Sequence, residues 1–172
     1  MLSYEENKDM AEETKSYLEN NYNLDVEIIY GEKIGKIKRT KIVFYNFMNY
    51  ILPAMIDYGE DCYYIEDDIR FTKNPKDIPD ADCVWSVYRK KQKDLIVGAQ
   101  AIYMKPIVYS LIECIKHKSN PQHLDRYLSK IFLKDYPCWI KTIILKPKIG
   151  YEENHLSLIS KTEHWEKYKK PN

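Results

Sequence analysis

Residues 62–71 have the sequence CYYIEDDIRF, in which an apolar and aromatic run leads into three consecutive acidic residues. The apolar run predicts a buried strand, and the strand pattern resumes after the acids. Side chains alternate along a strand, so we expect Glu66 and Asp68 on one face and Asp67 on the other. Because carboxylates are seldom buried unless they are paired or bind a cation, this stretch calls for a chemical explanation.

Two explanations fit the three acids. A hard divalent cation prefers oxygen ligands and completes its octahedron with phosphate and water, so Glu66 and Asp68 suit it as a pair. The alternative is an acidic turn after an edge strand, which any run of three acids can form. Since apolar residues flank the acids closely on both sides, we favour the metal site.

The composition predicts one domain over residues 1–172, with a polar tail over 161–172. A chain of 172 residues that is 44% hydrophobic can bury one core. The net charge of +1, from 27 basic and 26 acidic residues, gives no general attraction to nucleic acid or membranes. We therefore expect no nucleic-acid partner.

Cysteine usage and hydropathy indicate the compartment. The four cysteines are widely spaced with no C-x-x-C pair, which argues against a zinc knuckle or a dense disulfide framework. No segment approaches the roughly 18 apolar residues of a membrane span, and the acidic start does not resemble a signal peptide. The expectation is a cytoplasmic protein, and its small size and AT-rich residue usage suit a virus or another small genome.

The order of predicted elements favours an α/β fold. Helices are predicted over 3–22, 39–58, 106–117 and 123–132, and strands over 24–30, 62–71, 83–88, 95–104 and 140–145. Pro53 either kinks the second helix or starts a new one. Gly98 lies in the centre of the strand over 95–104, where glycine often marks close approach by a ligand or another backbone. Alternating helices and strands predict a mostly parallel sheet flanked by helices.

Several motifs together resemble a known family. The run Tyr64-Ile65-Glu66-Asp67-Asp68 resembles the acid motif of GT-A glycosyltransferases, above all the LPS-type family that includes lipooligosaccharide and collagen galactosyltransferases. Later segments follow in that family's order: Gly98 to Tyr103 is similar to its G-x-x-A-Y strand, His123-Leu124-Asp125 to its P-x-D step, and Lys146 to Ser157 to its closing segment. The resemblance covers about residues 60–160. Because a GT-A domain normally opens with a strand and a helix is predicted here, it implies an abbreviated GT-A domain.

The resemblance implies a metal-dependent glycosyltransferase that uses Mn²⁺ or Mg²⁺ and a nucleotide-sugar donor. The acceptor would be a glycan, a protein or a lipid-linked molecule. Glu66 and Asp68 would hold the metal, and His155 is the candidate third ligand near the C-terminus, with Glu152 and Glu153 as substitutes. A solvated histidine in a polar loop is the alternative for His155.

The resemblance also assigns roles around the donor. Asp125 would be the general base, although an acid in the first turn of a helix is also favoured by the helix dipole, by about 0.3–1 kcal/mol. Gly98, Ala99 and Tyr103 would line the sugar site, and a basic cluster that includes Arg39 would meet the donor phosphates. The predicted cofactor-binding group is therefore Glu66, Asp67, Gly98, Ala99, Tyr103 and Arg39. For these residues, close packing and a solvated charged face are the alternatives.

Two other functions compete with this prediction. One is a degenerate GT-A-like protein that serves as a binding or assembly module, which the absent opening strand would favour. The other is a metal-dependent nuclease or nucleotidyltransferase using the same acids. The next strand, CVWSVY over residues 83–88, offers no further acid or lysine for such a site, which counts against it.

Overall fold

A computed structural model describes residues 1–33, 39–92, 95–116 and 123–152. In this part of the chain the helices are α1 (Lys8–Tyr22), α2 (Arg39–Asn46), α3 (Leu52–Tyr58), α4 (Pro106–Ile115) and α5 (Leu124–Lys130), with a 3-10 turn over Glu5–Asn7 and π-helical segments over Phe47–Ile51 and Ile131–Asp135. The strands are β1 (Leu2–Ser3), β2 (Ile29–Tyr30), β3 (Cys62–Ile65), β4 (Ile69–Phe71), β5 (Cys83–Val87), β6 (Lys90–Gln92), β7 (Leu95–Val97), β8 (Ala101–Met104), β9 (Thr142–Ile144) and β10 (Gly150–Glu152). The predicted mixture of helices and strands is confirmed.

The central sheet has the strand order β3-β8-β5-β9. Strand β8 is antiparallel to both β3 and β5, whereas β5 and β9 are parallel. A parallel bridge between Leu2 and Glu66 connects this sheet to the parallel pair β1–β2. Of the six strands in the order β2-β1-β3-β8-β5-β9, β8 is therefore the one that runs opposite to the others.

Helices cover both faces of this arrangement. One face packs against α2, α3, α4 and α5 through a core that includes Tyr64, Trp85, Ile102 and Met104 from the sheet. On the other face Ile65, Val87 and Ala101 pack with Ala11 and Leu18 of α1 and with β4. Alternate residues of β3 and β8 supply the two cores because side chains alternate across a sheet. The connections from β1 to β2 and from β2 to β3 thus pass on opposite faces.

Four predictions of local structure need correction. The chain opens with the short strand β1, so the predicted absence of an opening strand is wrong. The predicted strand over 24–30 is reduced to β2, since its partner β1 has only two residues. The strand over 95–104 is interrupted because Gly98 has a φ of +81°, which a regular strand does not allow. The sheet predicted as mostly parallel is a mixed one, since β8 is antiparallel to both of its neighbours, and the hairpin β6–β7 connects β5 to β8.

The helix predicted over 39–58 is confirmed in outline. It contains a π-helical segment directly before α3, and Pro53 occupies the first turn of α3. The helix continues through this point, since Leu52 N donates to Phe47 O at the end of the π-helical segment, and Pro53 itself has no N–H to donate. Gly59 ends α3 with a φ of +73°. The predicted polar tail over 161–172 lies outside the described residues.

Candidate functional site

The three acids lie at the carboxyl end of β3. Glu66 forms the parallel bridge with Leu2, and Asp67 and Asp68 form the turn that leads into β4. The single strand predicted over 62–71 is therefore divided into β3 and β4, and the strand alternation that would put Glu66 and Asp68 on one face does not apply across the turn. The carboxyl ends of β1 and β2 lie beside this turn, because both strands run parallel to β3. Strand β1 lies between β2 and β3: the chain passes from β1 to β2 on one side of it and then crosses to β3 on the other side. The acids at the end of β3 therefore border the point where the strand order reverses. In open α/β sheets ligands bind in the crevice at such a point.

Asp67 is held by the N-terminal segment. Its Oδ2 accepts hydrogen bonds from Ser3 Oγ at 2.6 Å and Asn7 Nδ2 at 3.1 Å. Its carbonyl oxygen accepts one from Thr14 Oγ1 at 2.7 Å, and the same hydroxyl accepts one from Arg70 Nη1 at 2.6 Å. Asp67 thus fixes the acidic turn against α1.

Glu66 and Asp68 are the two remaining carboxylates of the turn, and both are half-buried. The acidic residues of the turn raise the pKa values of the neighbouring tyrosines Tyr4 and Tyr64. Burial raises the pKa of Tyr4 to about 12, and the carboxylates of Glu66 and Asp67 add to the increase. Burial also raises the pKa of Tyr64, and the negative charge of Glu66 is the next largest cause of this increase. The carboxylates of Glu66 and Asp67 therefore lie close enough to Tyr4 and Tyr64 to raise the pKa of both hydroxyls.

Asn46 organises the neighbouring strand ends. This fully buried side chain accepts a hydrogen bond from Glu32 N at 3.0 Å and donates to Glu32 O at 3.1 Å and to Tyr4 Oη at 3.3 Å. Asn46 therefore connects Tyr4, which follows β1, with Glu32, which lies two residues after β2. A Cβ added to Gly31 would lie 2.6 Å from Asn46 Nδ2, so the fit is close. The sequence prediction missed Asn46, although a lone asparagine inside the apolar run VFYNF over 43–47 is a usable signal.

The loop between β7 and β8 brings together three of the predicted residues. Gln100 O accepts a hydrogen bond from Glu66 N at 2.9 Å, which places Gly98 and Ala99 beside the acids. Gly98 N donates to Asp125 Oδ2 at 3.0 Å. Asp125 lies in the first turn of α5, as predicted, and its Oδ1 accepts a hydrogen bond from Arg126 N at 2.7 Å. Gly98, Ala99 and Asp125 therefore form one group at the acidic end of the sheet.

Tyr103 is not brought into this group. Tyr103 lies opposite Tyr63 in the β3–β8 pair, and Tyr63 is three residues before Glu66 in the chain. Its hydroxyl donates a hydrogen bond to Asp61 Oδ2, and its ring contacts that of Tyr63 with centroids 5.6 Å apart. Arg39 is the first residue of α2, and its side chain lies outside the described part of the structure.

The donor set fits a cation that also binds phosphate. Mg²⁺ is commonly held by one or two carboxylates plus substrate phosphates and water, and Glu66 and Asp68 offer two. Within the described ranges no group of three or more His, Cys, Asp or Glu residues is arranged to hold a metal. Strand β10 ends at Glu152, which lies opposite Ile69 and thus one residue from Asp68. The chain leaves β10 beside the acidic turn, and His155 and Glu153 follow outside the described residues.

Comparisons with known proteins give no assignment. No model of a known protein family matches the chain, and no curated protein matches it either. Among the residues with a described placement, no helix is both long enough and apolar enough to cross a membrane.

Proposed function

We propose that the protein is a metal-dependent glycosyltransferase that binds a nucleotide-sugar donor at the carboxyl ends of β1, β2 and β3. The observation that carries the proposal is the position of Glu66 and Asp68 at the point where the strand order reverses. Carboxylates at that point suit the diphosphate of a nucleotide together with Mg²⁺ or Mn²⁺. A GT-A-like domain is the finer fold that goes with this proposal.

The residues around the proposed donor site have separate roles in cation binding and in positioning the acidic turn. Glu66 and Asp68 would hold the cation, which neutralises the diphosphate leaving group when it is bound. Asp67 and α1 keep the acidic turn in place through the hydrogen bonds of Ser3 and Thr14. A Cβ on Gly98 would lie 2.9 Å from Arg89 Cγ, and Ala99 is buried in the core, so close packing accounts for both small residues.

Asp125 is the candidate base for the acceptor hydroxyl. Both of its oxygens already accept backbone N–H groups, from Gly98 and Arg126. A carboxylate has about four lone-pair sites, so each oxygen can still accept a proton-donating hydroxyl. The two backbone hydrogen bonds would hold the carboxylate in one orientation, which general-base catalysis requires.

The rival assignments receive less support. The binding-module alternative depended mainly on the absent opening strand, and β1 is present. The nuclease or nucleotidyltransferase alternative needs further acids on neighbouring strands, and β5 has none. We therefore retain the glycosyltransferase proposal alone.

The test measures donor binding with and without the cation. Wild-type protein is titrated with a panel of nucleotide sugars in Mn²⁺ and, separately, in EDTA, by calorimetry and by the shift in melting temperature. A bound donor stabilises the fold by mass action, about 2.7 kcal/mol at a hundredfold excess over its Kd. We expect one donor class to bind in Mn²⁺ only, and Asp68→Asn to weaken its binding at least tenfold.

Asp77→Asn is the matched control, because Asp77 is exposed and lies in the loop after β4, away from the turn. It should bind the donor as the wild type does. If Asp68→Asn keeps wild-type affinity in Mn²⁺, or if no nucleotide sugar binds, the assignment of the acids is wrong.

A further inference from the structure

Two buried side chains beside the acids have hydrogen-bond donors that are not used within the fold. Tyr64 and Gln100 are each only 1% exposed to solvent. The hydroxyl of Tyr64 and Nε2 of Gln100 are themselves buried, and neither has a hydrogen-bond partner in the part of the chain that the structure describes. The large majority of buried polar side-chain atoms in proteins are hydrogen-bonded, so each exception needs an explanation. These two donors therefore call for an acceptor.

The register of β3 and β8 places both donors on the same face of the sheet as Glu66. Ile65 is opposite Ala101, and Glu66 N donates to Gln100 O at 2.9 Å, so Glu66 and Gln100 are opposite each other. The Cβ atoms of such antiparallel partners are about 4.5–5.5 Å apart. Tyr64 precedes Glu66 by two residues, so its side chain leaves the same face about 7 Å along the strand. Glu66 is therefore within side-chain reach of both donors.

The core on this face holds the ring of Tyr64 in place. The ring meets that of Phe47 edge to face, with centroids 5.3 Å apart, and Ile102 lies opposite Tyr64 in β8. Burial raises the pKa of the Tyr64 hydroxyl well above its usual value, and the charge of Glu66 is the next largest cause. The hydroxyl therefore stays protonated at neutral pH, where it can donate a hydrogen bond, and it lies near the Glu66 carboxylate.

Glu66 is able to accept both hydrogen bonds and still bind a cation. A carboxylate has about four lone-pair sites, which is enough for two donors and one metal ion. Carboxylates that bind metals are generally hydrogen-bonded as well, and those hydrogen bonds fix their orientation. Because the β3–β8 pair already fixes the backbone, a change of the Glu66 side-chain rotamer is sufficient to bring its carboxylate to the two donors.

We propose that Tyr64 and Gln100 are positioning residues for Glu66. Tyr64 Oη and Gln100 Nε2 donate hydrogen bonds to its carboxylate when that carboxylate holds the cation. The inference rests on the proposed function, because it takes Glu66 to be a ligand of the cation. It goes further by assigning the two buried donors a role in binding that the fold itself does not require.

This role predicts opposite effects on stability and on cation binding. Removing a buried donor that has no partner relieves its desolvation penalty. In EDTA, Tyr64→Phe and Gln100→Met should therefore leave the melting temperature unchanged or raise it by about 2–4 °C. The same variants should weaken Mn²⁺ binding about 10–100-fold, as is typical when a metal ligand loses a hydrogen bond. A purely structural role would instead lower the melting temperature.

The test measures both quantities on the full chain. Mn²⁺ alone is titrated into the wild type and each variant, and the unbound ion is followed by electron paramagnetic resonance. Melting temperatures are recorded in EDTA. Tyr63→Phe is the matched control: Tyr63 lies on the opposite face of β3, where its hydroxyl donates to Pro75 O at 2.9 Å and shares a hydrogen bond of 3.1 Å with Ser86 Oγ. This control should lose stability and keep the wild-type affinity for Mn²⁺.

Each outcome separates the inference from the proposed function. If the wild type binds Mn²⁺ and Tyr64→Phe and Gln100→Met bind it equally well, the positioning role is wrong while the proposed function stands. A lower melting temperature of both variants in EDTA would also overturn the role, because the donors would then have partners within the fold. Equal weakening by Tyr63→Phe would show a general effect of losing a hydroxyl, which overturns it too. If the wild type binds no Mn²⁺ at millimolar concentration, the proposed function fails and the inference with it.

Discussion

The buried contact between Asn46 and Gly31 gives a sharp prediction. A Cβ on Gly31 would lie 2.6 Å from Nδ2 and 2.7 Å from Cγ of Asn46, but 3.2 Å from its Cβ. Gly31→Ala should therefore cost about 1–3 kcal/mol through overpacking. Asn46→Ala should cost about 1–3 kcal/mol, because it removes the hydrogen bonds to the backbone of Glu32 and to the buried hydroxyl of Tyr4.

The double variant should lose less than the sum of the two. Asn46→Ala removes the two atoms that the new methyl group would strike and keeps only the Cβ contact. We expect the coupling free energy from a double-mutant cycle to favour the double variant by about 0.5–3 kcal/mol. Denaturant unfolding monitored by circular dichroism, with unchanged m-values, measures it.

Asn49→Ala supplies the matched control for this cycle. Asn49 lies in the same helical run, but its side chain is exposed and donates to Tyr45 O at 2.7 Å. Combined with Gly31→Ala it should be additive to within about 0.5 kcal/mol. If the cycle with Asn46 is equally additive, then Asn46 does not constrain Gly31 and the account of the strand ends is wrong.

Two further predictions concern backbone strain and alkaline pH. Gly98→Ala should destabilise the fold more than Gly59→Ala. Both residues have positive φ, which costs an L-residue about 1–2 kcal/mol, but only at Gly98 would the new methyl group also strike a side chain, that of Arg89 at 2.9 Å. Equal losses of stability in thermal unfolding would refute the clash. Burial raises the pKa values of Tyr4 and Tyr63 from 10 to about 12, so their contribution to stability is present below pH 10 and is lost as the pH rises through 12. Tyr63→Phe should reduce that alkaline loss in denaturant unfolding, and an unchanged pH dependence would contradict the shift.

The sequence predicted the parts of the site that depend on local pattern. An apolar run followed by acids placed Glu66, Asp67 and Asp68 at a strand end, and the helix that carries Asp125 begins where its sequence predicts. Each depends on residues that are close in the chain. Local pattern therefore suffices to place the acids and the helix start.

The features that were missed depend on long-range contacts. Asn46 acts on Tyr4, which is 42 residues away, and Asp67 is held by Ser3, 64 residues away. Tyr103 was grouped with Gly98 because the family resemblance assigns both to one strand motif. The left-handed conformation of Gly98 ends β7, and the three residues from 98 to 100 then separate it from β8. No local pattern reports which strand lies beside which.

Strand β1 illustrates why a short element can escape prediction and still determine the fold. Two residues carry no periodic signal, yet they pair with β2 on one side and with Glu66 on the other. That pairing places the carboxyl ends of three parallel strands together, which creates the crevice of the proposed donor site. The proposed donor site therefore depends on the register of these two residues against Ile29 and Glu66.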